Sequence, residues 1–228
     1  MTAPTVQATG PAPPVITLPG VYHPQTDTFL LARALHRENI RRGMDVLDVG
    51  TGSGALAICA SRLGARVVAV DVARRAVLAA RLNALRARSR VTVRHGDLFA
   101  PVRGRTFDLV VTNPPYVPAP YRPPSRHGAH RSWDAGPDGR AVVDRVCAGA
   151  PRALRPGGVL LMVHSGLCGS GDTLRRLAHQ GLHAEIHDRA RIPFGPVLRS
   201  RQDWLRERGL AEVTEDHEEL VIIRARRP

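Results

Sequence analysis

Val46-Leu47-Asp48-Val49-Gly50-Thr51-Gly52-Ser53-Gly54 is a short apolar run that ends in three glycines at alternate positions. Its aliphatic residues predict a buried strand and its glycines a tight turn; Ala55 to Leu63, closed by Gly64, then reads as a helix. A strand, a glycine turn and a helix in this order set unpaired helix N–H groups and a closely approaching backbone at the carboxyl end of the strand. Polar ligands settle at such a place.

Working outward, the same alternation continues. Val67-Val68-Ala69-Val70 predicts a second strand ending at Asp71, and Ala73 to Ala87 a helix. Val91-Thr92-Val93 predicts a third strand before His95-Gly96-Asp97, and Phe107 to Thr112 a fourth. Upstream, Thr26 and Asp27 cap a helix whose apolar face carries Leu30, Leu31, Ala34 and Leu35. Downstream follow a helix over Gly139–Leu154, a turn at Arg155-Pro156-Gly157-Gly158 and a strand over Val159–Val163. A helix over Asp172–Gln180, a strand over Ala184–His187, a short helix over Arg201–Arg208 and a strand over Leu220–Ile223 complete the pattern. Near-continuously apolar strands that alternate with helices imply an α/β fold: a doubly wound, mostly parallel seven-stranded sheet of the Rossmann-like class.

The 228 residues suit one domain, placed here at 21–228, and 43% hydrophobic with 23% charged residues is ordinary for a globular chain. Residues 1–20, rich in Pro, Ala and Thr, are expected to be a disordered lead-in without the pattern of a secretory signal. No apolar stretch approaches the roughly 20 residues that cross a bilayer, so no membrane partner is expected; three cysteines, an odd count that argues against a disulfide framework, make the cytoplasm the default location. Cys59, Cys147 and Cys168 form no CxxC pair and read as small buried hydrophobes; the ten histidines show no ligand spacing, so no metal is expected. All 33 basic residues are arginine, and the net charge is +13. That charge attracts nucleic acid, but the arginine pairs are scattered and lack interleaved aromatics, so nucleic acid is not the favoured partner.

Asn113-Pro114-Pro115-Tyr116 follows the fourth strand. The asparagine carbonyl and the carbonyl of Pro114, held extended by the proline after it, are two acceptors that can grip a planar NH2 group, and the tyrosine adds a flat wall. Asn113, Pro114 and Tyr116 are therefore candidate catalytic residues, with Pro115 beside them as a substrate contact. From Pro118 to Asp138 the pattern lapses, and a structureless stretch directly after such a clamp is expected to be a lid. His164-Ser165-Gly166 lacks a nucleophile elbow and reads as a loop after the fifth strand.

Gly50, Gly52 and Gly54 also fit a dinucleotide pattern, and Asp71 can accept from both hydroxyls of a ribose, which serves NAD and S-adenosyl-L-methionine alike. Asp48 before the glycines, Asp97 positioned for an adenine amino group, and the clamp itself favour S-adenosyl-L-methionine. Val72, Leu98 and Asn113 join these residues as candidate cofactor contacts.

In this order, the glycine segment, Asp71, Asp97 and Asn113-Pro114-Pro115-Tyr116 resemble the S-adenosylmethionine-dependent amino-methyltransferases of the Rossmann-like class. More narrowly, Val21-Tyr22-His23-Pro24-Gln25-Thr26-Asp27-Thr28-Phe29-Leu30-Leu31 and Trp133-Asp134-Ala135-Gly136-Pro137-Asp138-Gly139-Arg140 resemble the short, eukaryotic and archaeal branch of the HemK-like release-factor glutamine methyltransferases. The resemblance implies methyl transfer to a glutamine side-chain amide of a release factor. It also implies substrate contacts at Tyr22, Asp27 and Trp133, and a small activator protein over an apolar edge of the fold. His23 and Thr26 stand where that branch often carries acidic residues. A small metabolite, the amino group of an adenine in nucleic acid, and a non-enzymatic cofactor-binding role are the alternatives.

Overall fold

The structure, a computed structural model, describes residues 12–121 and 129–228. Its strands are β1 (Asp45–Val49), β2 (Arg66–Asp71), β3 (Val91–His95), β4 (Phe107–Thr112), β5 (Leu154–Ser165), β6 (His183–Pro193) and β7 (His217–Arg226). They form one sheet in the order β3-β2-β1-β4-β5-β7-β6, parallel except for β7, which runs antiparallel to both β5 and β6. The order reverses between β1 and β4, and at that point the carboxyl ends of neighbouring parallel strands leave a crevice.

The helices are α1 (Thr26–Arg37), α2 (Ala55–Arg62), α3 (Arg74–Arg86), α4 (Val143–Ala153), α5 (Ser170–His179), α6 (Pro196–Ser200) and α7 (Gln202–Glu207). Leu30, Leu31, Ala34 and Leu35 on α1 are fully buried, each leucine contributing about 1.5–3 kcal/mol relative to exposure. Gly54, in the left-handed region at φ +87°, leads into α2 so close to α3 that an added Cβ would stand 3.1 Å from the Ala80 Cα. At the amino ends of the strands, Arg155 donates to Asp45 at 2.5 Å and to Asp108 at 2.6 Å, and Arg66 donates to Asp45 at 2.9 Å. Part of the arginine excess is thus engaged in ion pairs between strands.

Several boundaries differ from the sequence expectation. Within the expected lead-in, the Ile16 N–H donates to Asn83 Oδ1 at 2.9 Å and its carbonyl accepts from Asn83 Nδ2 at 2.7 Å, so a buried amide on α3 supplies the pairing that a strand neighbour would give. Residues 1–11 lie outside the described residues. Helix α4 begins at Val143, and Gly139, at φ +69°, stands before it where an added Cβ would run into the Tyr116 carbonyl. The expected turn at Arg155–Gly158 is a bulge inside β5, where the register shifts between Phe107–Leu154 and Leu109–Val159. His164 and Ser165 are buried strand residues paired with Val221 and Leu220, not a loop. β6 runs from His183 to Pro193, longer than expected, because an edge strand with one exposed face carries charged residues rather than an apolar run. The single helix expected over Arg201–Arg208 is preceded by a second, α6.

The described part of the 118–138 segment, expected to be a lid, is tied to the fold by hydrogen bonds. The Val117 N–H donates to Trp133 O at 2.7 Å, the Ala135 N–H to Val117 O at 2.9 Å and the Ala119 N–H to Gly136 O at 2.9 Å. Arg201 donates to Pro118 O at 2.8 Å and to the buried Asp134 at 2.6 Å, and the Tyr121 hydroxyl donates to the same carboxylate. Residues 122–128 lie outside the described residues.

Candidate active site

A cavity of about 690 Å³ opens at the carboxyl ends of β1, β2, β3 and β4, where the sheet order reverses. One half is built from backbone. Gly50 and Gly52 line it in the left-handed region, and the Gly52 N–H donates to Asp71 Oδ2 at 2.9 Å while the Ala73 N–H donates to Asp71 Oδ1 at 2.8 Å. Burial pushes the Asp71 carboxyl up from its ordinary value, and these two N–H groups oppose that shift. Asp71 lines the cavity with its carboxylate held in place by backbone N–H groups. Asp97 also lines the cavity, with one oxygen held by Arg145 at 2.5 Å. Leu98 beside it has φ +45°, a strained backbone for a leucine and one that clusters at ligand sites.

The other half is built from side chains brought together by α1 and β4. Asp27, 3% exposed, accepts at Oδ2 from the Tyr22 hydroxyl at 2.9 Å, the Tyr116 hydroxyl at 3.0 Å and Asn113 Nδ2 at 3.0 Å. Its Oδ1 accepts from the Thr28 N–H at 2.5 Å and the Thr28 hydroxyl at 3.2 Å. The second Asn113 amino hydrogen faces Thr28 Oγ1 at 3.3 Å. This network fixes the amide orientation: the asparagine NH2 faces acceptors inside the wall, and its carbonyl oxygen is the atom left for the cavity. Burial, followed by the charge of Asp27, raises both the Tyr22 and the Tyr116 phenols well above their usual range, so both stay donors.

The family model described as "Methyltransferase small domain" matches residues 13–121. A candidate protein N5-glutamine methyltransferase of Methanocaldococcus jannaschii is 34% identical over 79% of this chain and 90% of its own length. The chain belongs to the protein-glutamine methyltransferase family. The release factor glutamine methyltransferase of Moorella thermoacetica is 38% identical over 63% of this chain, which spans about half, 54%, of that relative. Among solved structures, the E. cuniculi Mtq2-Trm112 complex, described as responsible for methylation of the termination factor eRF1, superposes with a TM-score of 0.63 at 25% identity over 92% of this chain and 99% of that one. The chain is accordingly a methyltransferase, and its cofactor is S-adenosyl-L-methionine. The cavity suits that group: left-handed glycines that a side chain would strain, the Asp71 carboxylate at the end of β2, and Asp97 at the rim.

Within this family site, Tyr22, Asp27, Gly50, Gly52, Asp71, Val72, Asp97, Leu98, Asn113, Pro114, Pro115, Tyr116 and Trp133 line one cavity. Asp48 and Gly54 do not. Asp48 is fully buried behind the loop, accepting from the Thr51 hydroxyl at 2.6 Å, and burial raises its carboxyl to about 7 against that hydrogen bond. Gly54 faces Ala80 instead. Both shape the loop from behind. Asp27 borders the cavity with its oxygens engaged by Tyr22, Tyr116, Asn113 and Thr28.

Sequence reasoning missed Thr28, Arg145, the Gly195–Leu198 wall between β6 and α7, and Glu218. Thr28 adjoins Asp27 and could have been found from it. Glu218 sits in the charge run Glu215-Asp216-His217-Glu218-Glu219, which reads as a solvated face. All three cysteines are buried thiols that burial raises, which fits small hydrophobes. Among the described residues no group of three or more side chains could hold a metal, and no helix is long and apolar enough to cross a membrane.

Proposed function

We propose that the chain methylates the side-chain amide nitrogen of a glutamine, and that this glutamine belongs to a peptide-chain release factor. The observation that carries this reading is the Asn113 amide, turned by Asp27 and Thr28 so that its carbonyl is offered to the cavity. Relatives at 34–38% identity named as glutamine methyltransferases support the acceptor. Bound S-adenosylmethionine supplies an electrophilic methyl group on a sulfonium.

The chain's own residues aim the nucleophile. An amide nitrogen is poor because its lone pair is delocalised into the carbonyl. Asn113 Oδ1 and the Pro114 carbonyl accept its two hydrogens, which directs and enriches that lone pair; Tyr116, Pro115 and Trp133 wall the amide plane and exclude water. No strong base is needed, since the nitrogen becomes acidic as the new bond forms. Gly50, Gly52, Asp71, Val72, Asp97 and Leu98 hold the cofactor, and residues 21–228 act as one methyltransferase unit. A release-factor acceptor places the reaction in the cytoplasm.

A small activator subunit fits the open edge of the sheet. Leu78, Leu82 and Leu85 on α3 are 51%, 43% and 77% exposed beside the edge strand β3, an apolar stripe that a partner such as the one in the Mtq2-Trm112 complex would cover.

The acceptor is tested by incubating the protein and methyl-labelled S-adenosylmethionine with separated protein, nucleic-acid and metabolite fractions of the source cell. Label on a release-factor glutamine is the expected result. Label confined to nucleic acid or to small molecules overturns the reading, the clamp then holding an adenine amino group or a metabolite.

A further inference from the structure

Glu218 stands near the start of β7, opposite Ile192 of β6, and its side chain reaches the cavity wall. It is 7% exposed, and its Oε2 is sealed from solvent with no hydrogen-bond partner among the described residues. The groups facing it are Asp27 of α1, Tyr22 before α1, Tyr116 after β4 and Ser165 of β5. Burial pushes its carboxyl up to about 7; Ser165 favours the ionised form and Asp27 opposes it.

An unpaired carboxyl oxygen held away from water weakens the fold, and Ser165, which favours the ionised form of Glu218, leaves Oε2 without a partner. Asp27, the other buried carboxyl of the same wall, is saturated by five hydrogen-bond contacts, so the contrast is between a positioning carboxylate and one with a vacant acceptor. A buried polar atom without a partner, on a side chain that lines a ligand cavity, is where a ligand donor fits once the ligand is seated.

We propose that Glu218 is an acceptor-binding residue whose Oε2 takes a hydrogen bond from an N–H of the methyl acceptor, beyond the two hydrogens held at Asn113 and Pro114. For a protein acceptor that N–H is a peptide group flanking the modified side chain. The inference rests on methyl transfer and on the acceptor half of the cavity, whichever molecule carries the nitrogen.

The test compares the full-length parent with Glu218→Leu and Glu218→Gln, using labelled S-adenosylmethionine and a dilution series of whichever cell fraction the parent labels. Cofactor Kd by calorimetry and Tm are measured on the same three proteins. For Glu218→Leu the expected result is an apparent acceptor KM raised about tenfold or more, with cofactor Kd unchanged and Tm equal to or above the parent's. Glu218→Gln, which keeps an acceptor oxygen, stays within about threefold of the parent. An unchanged acceptor KM in Glu218→Leu overturns the assignment, as does a loss matched by falling Tm or cofactor affinity, or an equal loss in both variants. A parent that labels only RNA or metabolites refutes the glutamine reading alone, because the three-way comparison is still made on that fraction.

Discussion

The two halves of the cavity are built by different means. In the cofactor half, the lining groups come from consecutive strand ends: left-handed glycines, Asp71 held by backbone N–H groups, and an aspartate at the rim. In the acceptor half, Asp27 and Asn113, 86 positions apart, meet inside the wall with Tyr22 and Tyr116 and set one carbonyl oxygen facing the cavity. Backbone geometry tolerates substitution of neighbours; a side-chain network fails when any member is removed.

The sharpest way to break this comparison is Asn113→Ala. If the oriented carbonyl is the working part of the acceptor half, methyl transfer falls by about two to three orders of magnitude while calorimetric cofactor affinity stays within about threefold. Equal transfer by mutant and parent would sink the clamp. Asp27→Leu comes next: three donors lose their shared acceptor, so turnover is expected to fall about a hundredfold and Tm with it, cofactor affinity following only slightly. A variant with normal turnover would mean that Asn113 needs no orientation.

Asp71→Ala examines the other half. Losing hydrogen bonds to a carboxylate raises the cofactor Kd about 10–100-fold, and acceptor KM measured at saturating cofactor is unchanged. A shift in acceptor KM instead would erase the distinction between the halves. The smallest effect is on stability. The Asp48 carboxyl is raised to about 7 by burial, so the folded state holds the proton more tightly than the unfolded chain, and this contribution is full near pH 4 and lost as pH rises toward about 7. Asp48→Asn keeps an acceptor for Thr51 but not the titration, so its Tm relative to the parent is expected to climb across that interval. A flat difference would show that Asp48 does not titrate there.

Legibility in the sequence divided along the same line. The sheet and the glycine loop were readable because strand runs, glycines and Asp71 lie within a few residues of the turns they define. The bulge at Arg155–Gly158 was not, since a glycine turn and a bulge share composition and only pairing with Phe107 and Leu109 separates them. Tyr22, Asp27 and Tyr116 were named as site residues, but their convergence on one carboxylate depends on how α1 docks beside β4. Asp48 read as a ligand contact because it precedes the glycines, whereas the inward face of β1 buries it completely.

The order of strands, glycines and aspartates was determined by the sequence itself, because covalent spacing fixes what lies at each strand end, and with it the fold and a methyl-donor site. Tertiary structure alone decided which carboxylate is saturated and which is open. Asp27 and Glu218 are the same chemistry on paper; the docking of α1 beside β4 surrounds the first with donors, and β7 leaves a buried oxygen of the second without a partner among the described residues.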